Sequence, residues 1–139
     1  MMRKAAYAAL ALFALGAVPA FAANSVDKSP PPAPYKKVSQ LVKLPDFLPG
    51  LGTLYVDPAT LPDGPFLAYD HQGKLVSTIY MIPIKEIDEH KKIADLKSPG
   101  GNVVHVSMYF NAGHPGVEVP HYHIVLWHVS PSQESLVAK

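Results

Sequence analysis

In two segments near the C-terminus, alternate residues form two faces of different composition. This pattern restricts the fold more than any other feature. Residues 102–110 place an apolar side chain at every even position from Val104 to Phe110. Residues 119–129 alternate in the same way, and one of their two faces consists of His121, His123, Val125, Trp127 and Val129. Because successive side chains of a β-strand point to opposite faces, both segments are predicted to be strands.

Other apolar runs predict further strands at residues 51–56, 65–69 and 75–82, separated by turns that contain proline, glycine and aspartate. The run 75–82 is largely apolar on both faces, which suits a strand buried on both sides or at a subunit contact. Residues 85–96 carry acids at their start and lysines toward their end, which predicts the single helix. The predicted fold class is α+β and mostly β. It is an antiparallel sheet of five to six strands, a small barrel or sandwich, with one helix.

The N-terminal residues 1–22 are predicted to be a secretory signal peptide, cleaved after Ala22. Arg3 and Lys4 precede an apolar run, and Ala20-Phe21-Ala22 fits the small-x-small cleavage rule. The expected location is therefore the periplasm or the cell exterior. Three parts of the remaining chain are distinguished by composition: a proline-rich tether (23–37), a single β-rich domain (38–130) and a polar tail (131–139).

Charge and cysteine content exclude several classes of function. After the predicted cleavage the chain has ten lysines, eleven acids and no arginine, so no guanidinium fork is available for phosphate or guanine. Nucleic-acid binding is not expected, and no later apolar run is long enough to span a membrane. There is no cysteine. Stability must therefore come from a packed core, oligomerisation or a metal rather than from disulfides.

Five of the seven histidines lie between residues 105 and 128. His121 and His123 are two residues apart on one predicted strand, so both imidazoles project to the same face and can reach one metal ion. Zinc, copper or iron needs a third or fourth ligand, and His114 from the preceding loop and His105 from the neighbouring strand are the candidates. Glu118 is a further oxygen ligand to consider. His128 is predicted on the opposite face. The alternatives are a hydrogen-bonded histidine cluster that orders a loop and an active site without a metal.

Gly116 and His121-Tyr122-His123 resemble the first metal motif of the cupin family, in which glycine, a gap and His-x-His are followed by glutamate. The glutamate position is not filled here, and the gap between the glycine and the first histidine is one residue shorter than in the cupin motif.

The segment from His105 to Trp127 more closely resembles a small exported bacterial family, the DUF5602-like or TTHB-type domain. The positions that match are His105, Asn111, Gly113-His114-Pro115 and Pro120-His121-Tyr122. Three positions depart from the family pattern: His123 stands in place of Asp, Val125 in place of the second His, and Trp127 in place of Tyr. The resemblance implies a compact β-rich domain with a histidine pocket and supplies no reaction.

The sequence therefore predicts an exported β-rich domain whose partner is a divalent transition metal or a small molecule. The proposed ligands are His114, His121, His123 and His105. Two alternatives stay open. One is a cupin-like metal-dependent enzyme. The other is a structural or assembly module, with homo-oligomerisation, in which the histidines only order a loop.

Overall fold

The computed structural model describes residues 25–139, and the predicted signal peptide lies outside this range. Six strands are present: β1 (Lys36–Lys37), β2 (Thr53–Val56), β3 (Phe66–Tyr69), β4 (Leu75–Pro83), β5 (His105–Asn111) and β6 (His121–Trp127). One short α-helix, α1 (Ile84–Asp88), follows β4. Three 3-10 helices complete the regular structure: Val38–Gln40, Pro58–Thr60 and Pro131–Val137.

All six strands form one antiparallel sheet in the order β1-β2-β3-β4-β6-β5. The predicted fold class, α+β and mostly β, is confirmed. The barrel alternative is wrong, because within the described residues β1 and β5 are the two edges of the sheet and do not pair with each other. β6 lies between β4 and β5, so both of its edges are hydrogen-bonded.

The main core lies between one face of the sheet and irregular chain that crosses it. Leu54, Phe66 and Trp127 belong to this core, and partly buried side chains of residues 42–51 pack against it. The C-terminal 3-10 helix closes the layer, since the side chain of Val137 is fully buried. The predicted polar tail thus contributes an apolar anchor to the core.

Strand β4 is the most buried element, as its two apolar faces predicted. All nine of its residues are buried. The elements that cover it belong to the same chain. For example, the Tyr80 hydroxyl donates a hydrogen bond to the carbonyl of Lys97 at 2.7 Å. The apolar faces of β4 are therefore explained without a subunit contact, and homo-oligomerisation stays a prediction.

The helix predicted over residues 85–96 is wrong in its length, because the α-helix ends at Asp88. His90 and Asp95 both adopt positive φ angles, which a right-handed helix cannot contain. Ile87 is 44% exposed, so the helix buries little apolar surface there. Helices in proteins are stabilised mainly by packing of an apolar face, so this segment lacks that stabilisation.

Strand β5 confirms the predicted alternation, but its apolar face is open to solvent. Val106, Met108 and Phe110 are each more than half exposed. The residues between them, Ser107 and Tyr109, face the core side of the sheet.

In the part of the chain that the structure describes, no helix is long and apolar enough to cross a bilayer.

We expect Val137→Ala to lower the free energy of unfolding by about 1–3 kcal/mol, because it removes two methyl groups from a fully buried site. Leu136→Ala is the matched control, since the neighbouring Leu136 is 37% exposed and should lose markedly less. Urea unfolding of both variants measures the difference. Equal losses would contradict the packing of the C-terminal 3-10 helix against the core.

Candidate metal centre

Three imidazoles converge at the end of β6 that follows the loop from β5. The Nε2 atoms of His121 and His123 are 2.9 Å apart, and those of His114 and His123 are 3.4 Å apart. One nitrogen from each of the three residues lies within 4.8 Å of the others. Nitrogen ligands at about 2.0–2.1 Å from a tetrahedral zinc ion are themselves separated by roughly 3.3 Å. The three side chains are thus spaced as ligands of one ion.

Strand pairing fixes two of these imidazoles. His121 is paired with Pro83 on one side and Asn111 on the other, and His123 with Met81 and Tyr109. Both side chains point to the core face of the sheet and are almost fully buried, at 0% and 2% exposure.

A tight turn supplies the third imidazole. His114 and Val117 exchange two backbone hydrogen bonds of 3.0 Å around Pro115 and Gly116. Gly116 has φ +91°, and proline followed by a glycine with positive φ is the usual sequence of a type II turn. Gly113, with φ +132°, precedes it, and a Cβ there would lie 2.8 Å from the carbonyl oxygen of Glu118. The loop sequence therefore holds the His114 ring over the ends of the strands.

Each imidazole is oriented by a hydrogen bond at its other ring nitrogen. His121 Nδ1 lies 2.7 Å from the carbonyl oxygen of Val119, and His114 Nδ1 lies 3.0 Å from that of Pro115. Carbonyls only accept, so both Nδ1 atoms carry a proton, and in the neutral form of each ring the Nε2 atom presents a lone pair. His123 Nδ1 lies 2.8 Å from the Tyr109 hydroxyl, which can donate or accept. Such outer partners are typical of metal-binding histidines.

Burial favours the neutral form of the His123 imidazole. Burial, and then the neighbouring His121 and His114 rings, lower the pKa of His123 to about 4. A neutral imidazole is the form that binds metal. Burial also raises the pKa of Tyr109, so its phenol keeps its proton at neutral pH.

The remaining candidates lie outside this cluster. His105 stacks on Trp127, and its Nε2 is 3.6 Å from a carboxylate oxygen of Glu134. It is paired with Trp127 of β6. Along β5, His105 lies four residues from Tyr109, which is a distance of about 13 Å at the usual strand rise. Glu118 is exposed. As predicted, His128 lies away from the cluster, where its Nε2 is 2.8 Å from the Thr78 hydroxyl.

No family model and no curated protein matches the chain. Among solved structures it is similar to the hypothetical protein TTHB210 from Thermus thermophilus, with a TM-score of 0.60. The two sequences are 50% identical over 68% of this chain and 93% of that one. This chain belongs to the family of that Thermus protein. The predicted resemblance to a TTHB-type family is confirmed as far as membership of this family. The relative is described as a hypothetical protein, so the comparison supplies no activity.

The sequence alone did not indicate that Tyr109 contacts the histidine cluster. Alternation placed Tyr109 on the same face of β5 as His105 and Ser107, but alternation does not give the register between two strands. The observed register sets Tyr109 directly opposite His123. To predict this contact, one would need to know how many of the residues that connect β5 and β6 pair with each other and how many form the turn.

The metal-free protein should lose stability as the pH falls from about 6.5 to about 4. Folded His123 has a pKa near 4 and unfolded histidine one near 6.5, so the unfolded state binds more protons in this range. The contribution of His123 is fully present above pH 6.5 and declines by roughly 2–3 kcal/mol between pH 7 and pH 4.5.

Urea unfolding of chelator-treated protein at both pH values measures this loss. His123→Asn should remove that part of the pH dependence. His90→Asn is the control, because His90 is exposed and asparagine tolerates its positive φ. The same pH dependence in the wild type and in His123→Asn would contradict the burial of a neutral imidazole.

Proposed function

We propose that this protein binds one divalent late transition metal through the Nε2 atoms of His114, His121 and His123. The observation that carries the proposal is the convergence of three Nε2 atoms, two of them on buried rings whose Nδ1 atoms are hydrogen-bonded. Three imidazoles suit zinc, copper or iron, and they leave at least one coordination position for a further ligand. We further propose that the family is the DUF5602-like group and that the domain acts after export.

The arrangement of protons supports a metal rather than a histidine cluster that only orders a loop. His121 and His114 present lone pairs toward His123, so without a cation only one of these contacts can be a hydrogen bond from His123 Nε2–H. The other lone pair would then have no donor within the cluster. A metal ion satisfies all three nitrogens at once.

A metal-dependent enzyme of cupin type receives less support. Among the described residues the metal-ligating cluster contains no carboxylate, and the nearest acid in sequence, Glu118, is exposed. A general acid or base has to lie within hydrogen-bond reach of the reacting group. Tyr109 is the polar side chain that contacts His123, and its raised pKa makes it a hydrogen-bond donor rather than a base.

Purified protein should bind about one equivalent of Zn²⁺ or Cu²⁺, and His121→Ala/His123→Ala should abolish this binding because one remaining imidazole is a weak site. Metal content after gel filtration, measured by mass spectrometry, checks the stoichiometry. His105→Ala is the matched control and should retain the metal, since His105 contacts Trp127 and Glu134 instead. Loss of metal in His105→Ala, or full metal content in the double variant, would refute the assigned ligand set.

Tyr109→Phe should weaken metal binding by about 10–100-fold, because it removes the hydrogen-bond partner of His123 Nδ1. Competition with a coloured chelator gives the affinity. Tyr122→Phe is the control, since Tyr122 lies on the opposite face of the sheet against Phe110. An unchanged affinity in Tyr109→Phe would mean that the hydroxyl does not orient the ring.

A further inference from the structure

A cavity of about 600 Å³ opens beside the histidine cluster. This is within the range of pockets that hold small organic molecules. His114 and His123 line it, whereas His121 lies behind them and is fully buried. A metal held by these residues would therefore lie beside this cavity, and its open coordination positions would be reached from it.

The two ends of the cavity differ in polarity. At the β5 and β6 end its wall carries polar groups, which are Ser107, Tyr109, Asn111, His114 and His123. At the β2 and β3 end the wall is apolar, formed by Leu54, Val56 and Phe66 with the overlying side chains of Val42, Leu44 and Leu48. Three strand spacings separate β6 from β2, on the order of 14 Å. The cavity thus suits a molecule with one polar end and an apolar remainder.

Charge selects the polar end of that molecule. Three neutral imidazoles leave the full charge of a divalent ion uncompensated, and an uncompensated charge beside apolar walls is costly. Among the described residues that line the cavity there is no lysine or arginine, and the one acid is Glu134. An anionic head group would therefore have no cationic partner other than the metal. Its binding should depend on the metal.

Tyr109 provides a second contact. When the metal occupies His123 Nε2, the proton of that neutral ring must sit on Nδ1 and is donated to the Tyr109 oxygen. The Tyr109 O–H is then free to donate in turn, and the side chain lines the cavity. A ligand oxygen on the metal can accept this hydrogen bond.

We propose that the cavity binds a small, mostly apolar carboxylate, whose head group completes the coordination of the metal while its tail lies toward β2 and β3. This rests on the proposed metal site. The probes are octanoate, acetate and octan-1-ol, titrated calorimetrically into protein loaded with Zn²⁺ and into chelator-treated protein. Octanoate should bind the loaded protein about tenfold or more tighter than acetate, because it buries a longer apolar tail. Removal of the metal should weaken octanoate binding about tenfold or more.

Variants at the cavity wall separate a specific site from general surface binding. Leu41 lines the cavity and is 37% exposed, so Leu41→Trp can fill part of the space without disturbing the core. It should weaken octanoate binding and leave acetate and metal binding unchanged. Leu96→Trp is the control, at similar exposure but away from this cavity, and should bind octanoate like the wild type.

The outcomes distinguish this proposal from the metal site. Stoichiometric metal with octanoate no tighter than acetate would overturn the carboxylate proposal and leave the metal site standing. Octanoate binding equally well with and without metal, or binding the loaded protein no tighter than octan-1-ol does, would show an apolar cavity without coordination, and would also overturn it. Failure to bind metal at all would overturn both proposals.

Discussion

The pairing of β6 between β4 and β5 is the constraint on which the candidate site depends. A shift of one residue in either register would turn His121 and His123 to the other face of the sheet. The observed pairs hold both rings against the core and set Tyr109 opposite His123. The turn from His114 to Val117 then closes over the same point. Backbone hydrogen bonds thus determine the position of the three imidazoles.

Burial and hydrogen bonding at this point act in the same direction. Burial lowers the pKa of His123, so the ring is neutral at physiological pH. The carbonyls of Val119 and Pro115 place protons on the outer nitrogens of His121 and His114 and leave the inner nitrogens as acceptors. In the metal-free cluster the one Nε2 proton of a neutral His123 can be donated to only one of these two acceptors, whereas a metal ion would contact all three nitrogens. This makes metal binding the simplest account of the arrangement.

The alternation of residues 102–129 was enough to predict β5, β6 and the face that carries His121 and His123. The position of His114 could be anticipated only as a loop within reach of them. His105 was proposed because it lies on the neighbouring strand, but the register, which the sequence does not give, pairs it with Trp127. The predicted helix was too long because the charges of residues 85–97 carry no information about packing. Ile87 remains largely exposed. The cavity was not foreseeable, because one wall is irregular chain from residues 41 to 51, which has no periodicity to read.

X-ray absorption spectroscopy of the zinc- or copper-loaded protein tests the central claim most directly. We predict three imidazole nitrogens at about 2.0–2.1 Å and at least one non-protein oxygen donor in the first coordination shell. The imidazole scattering should fall when His114 is replaced by alanine. A first shell with one imidazole or none, unchanged by replacement of His114, His121 or His123, would contradict a metal site built by these three residues.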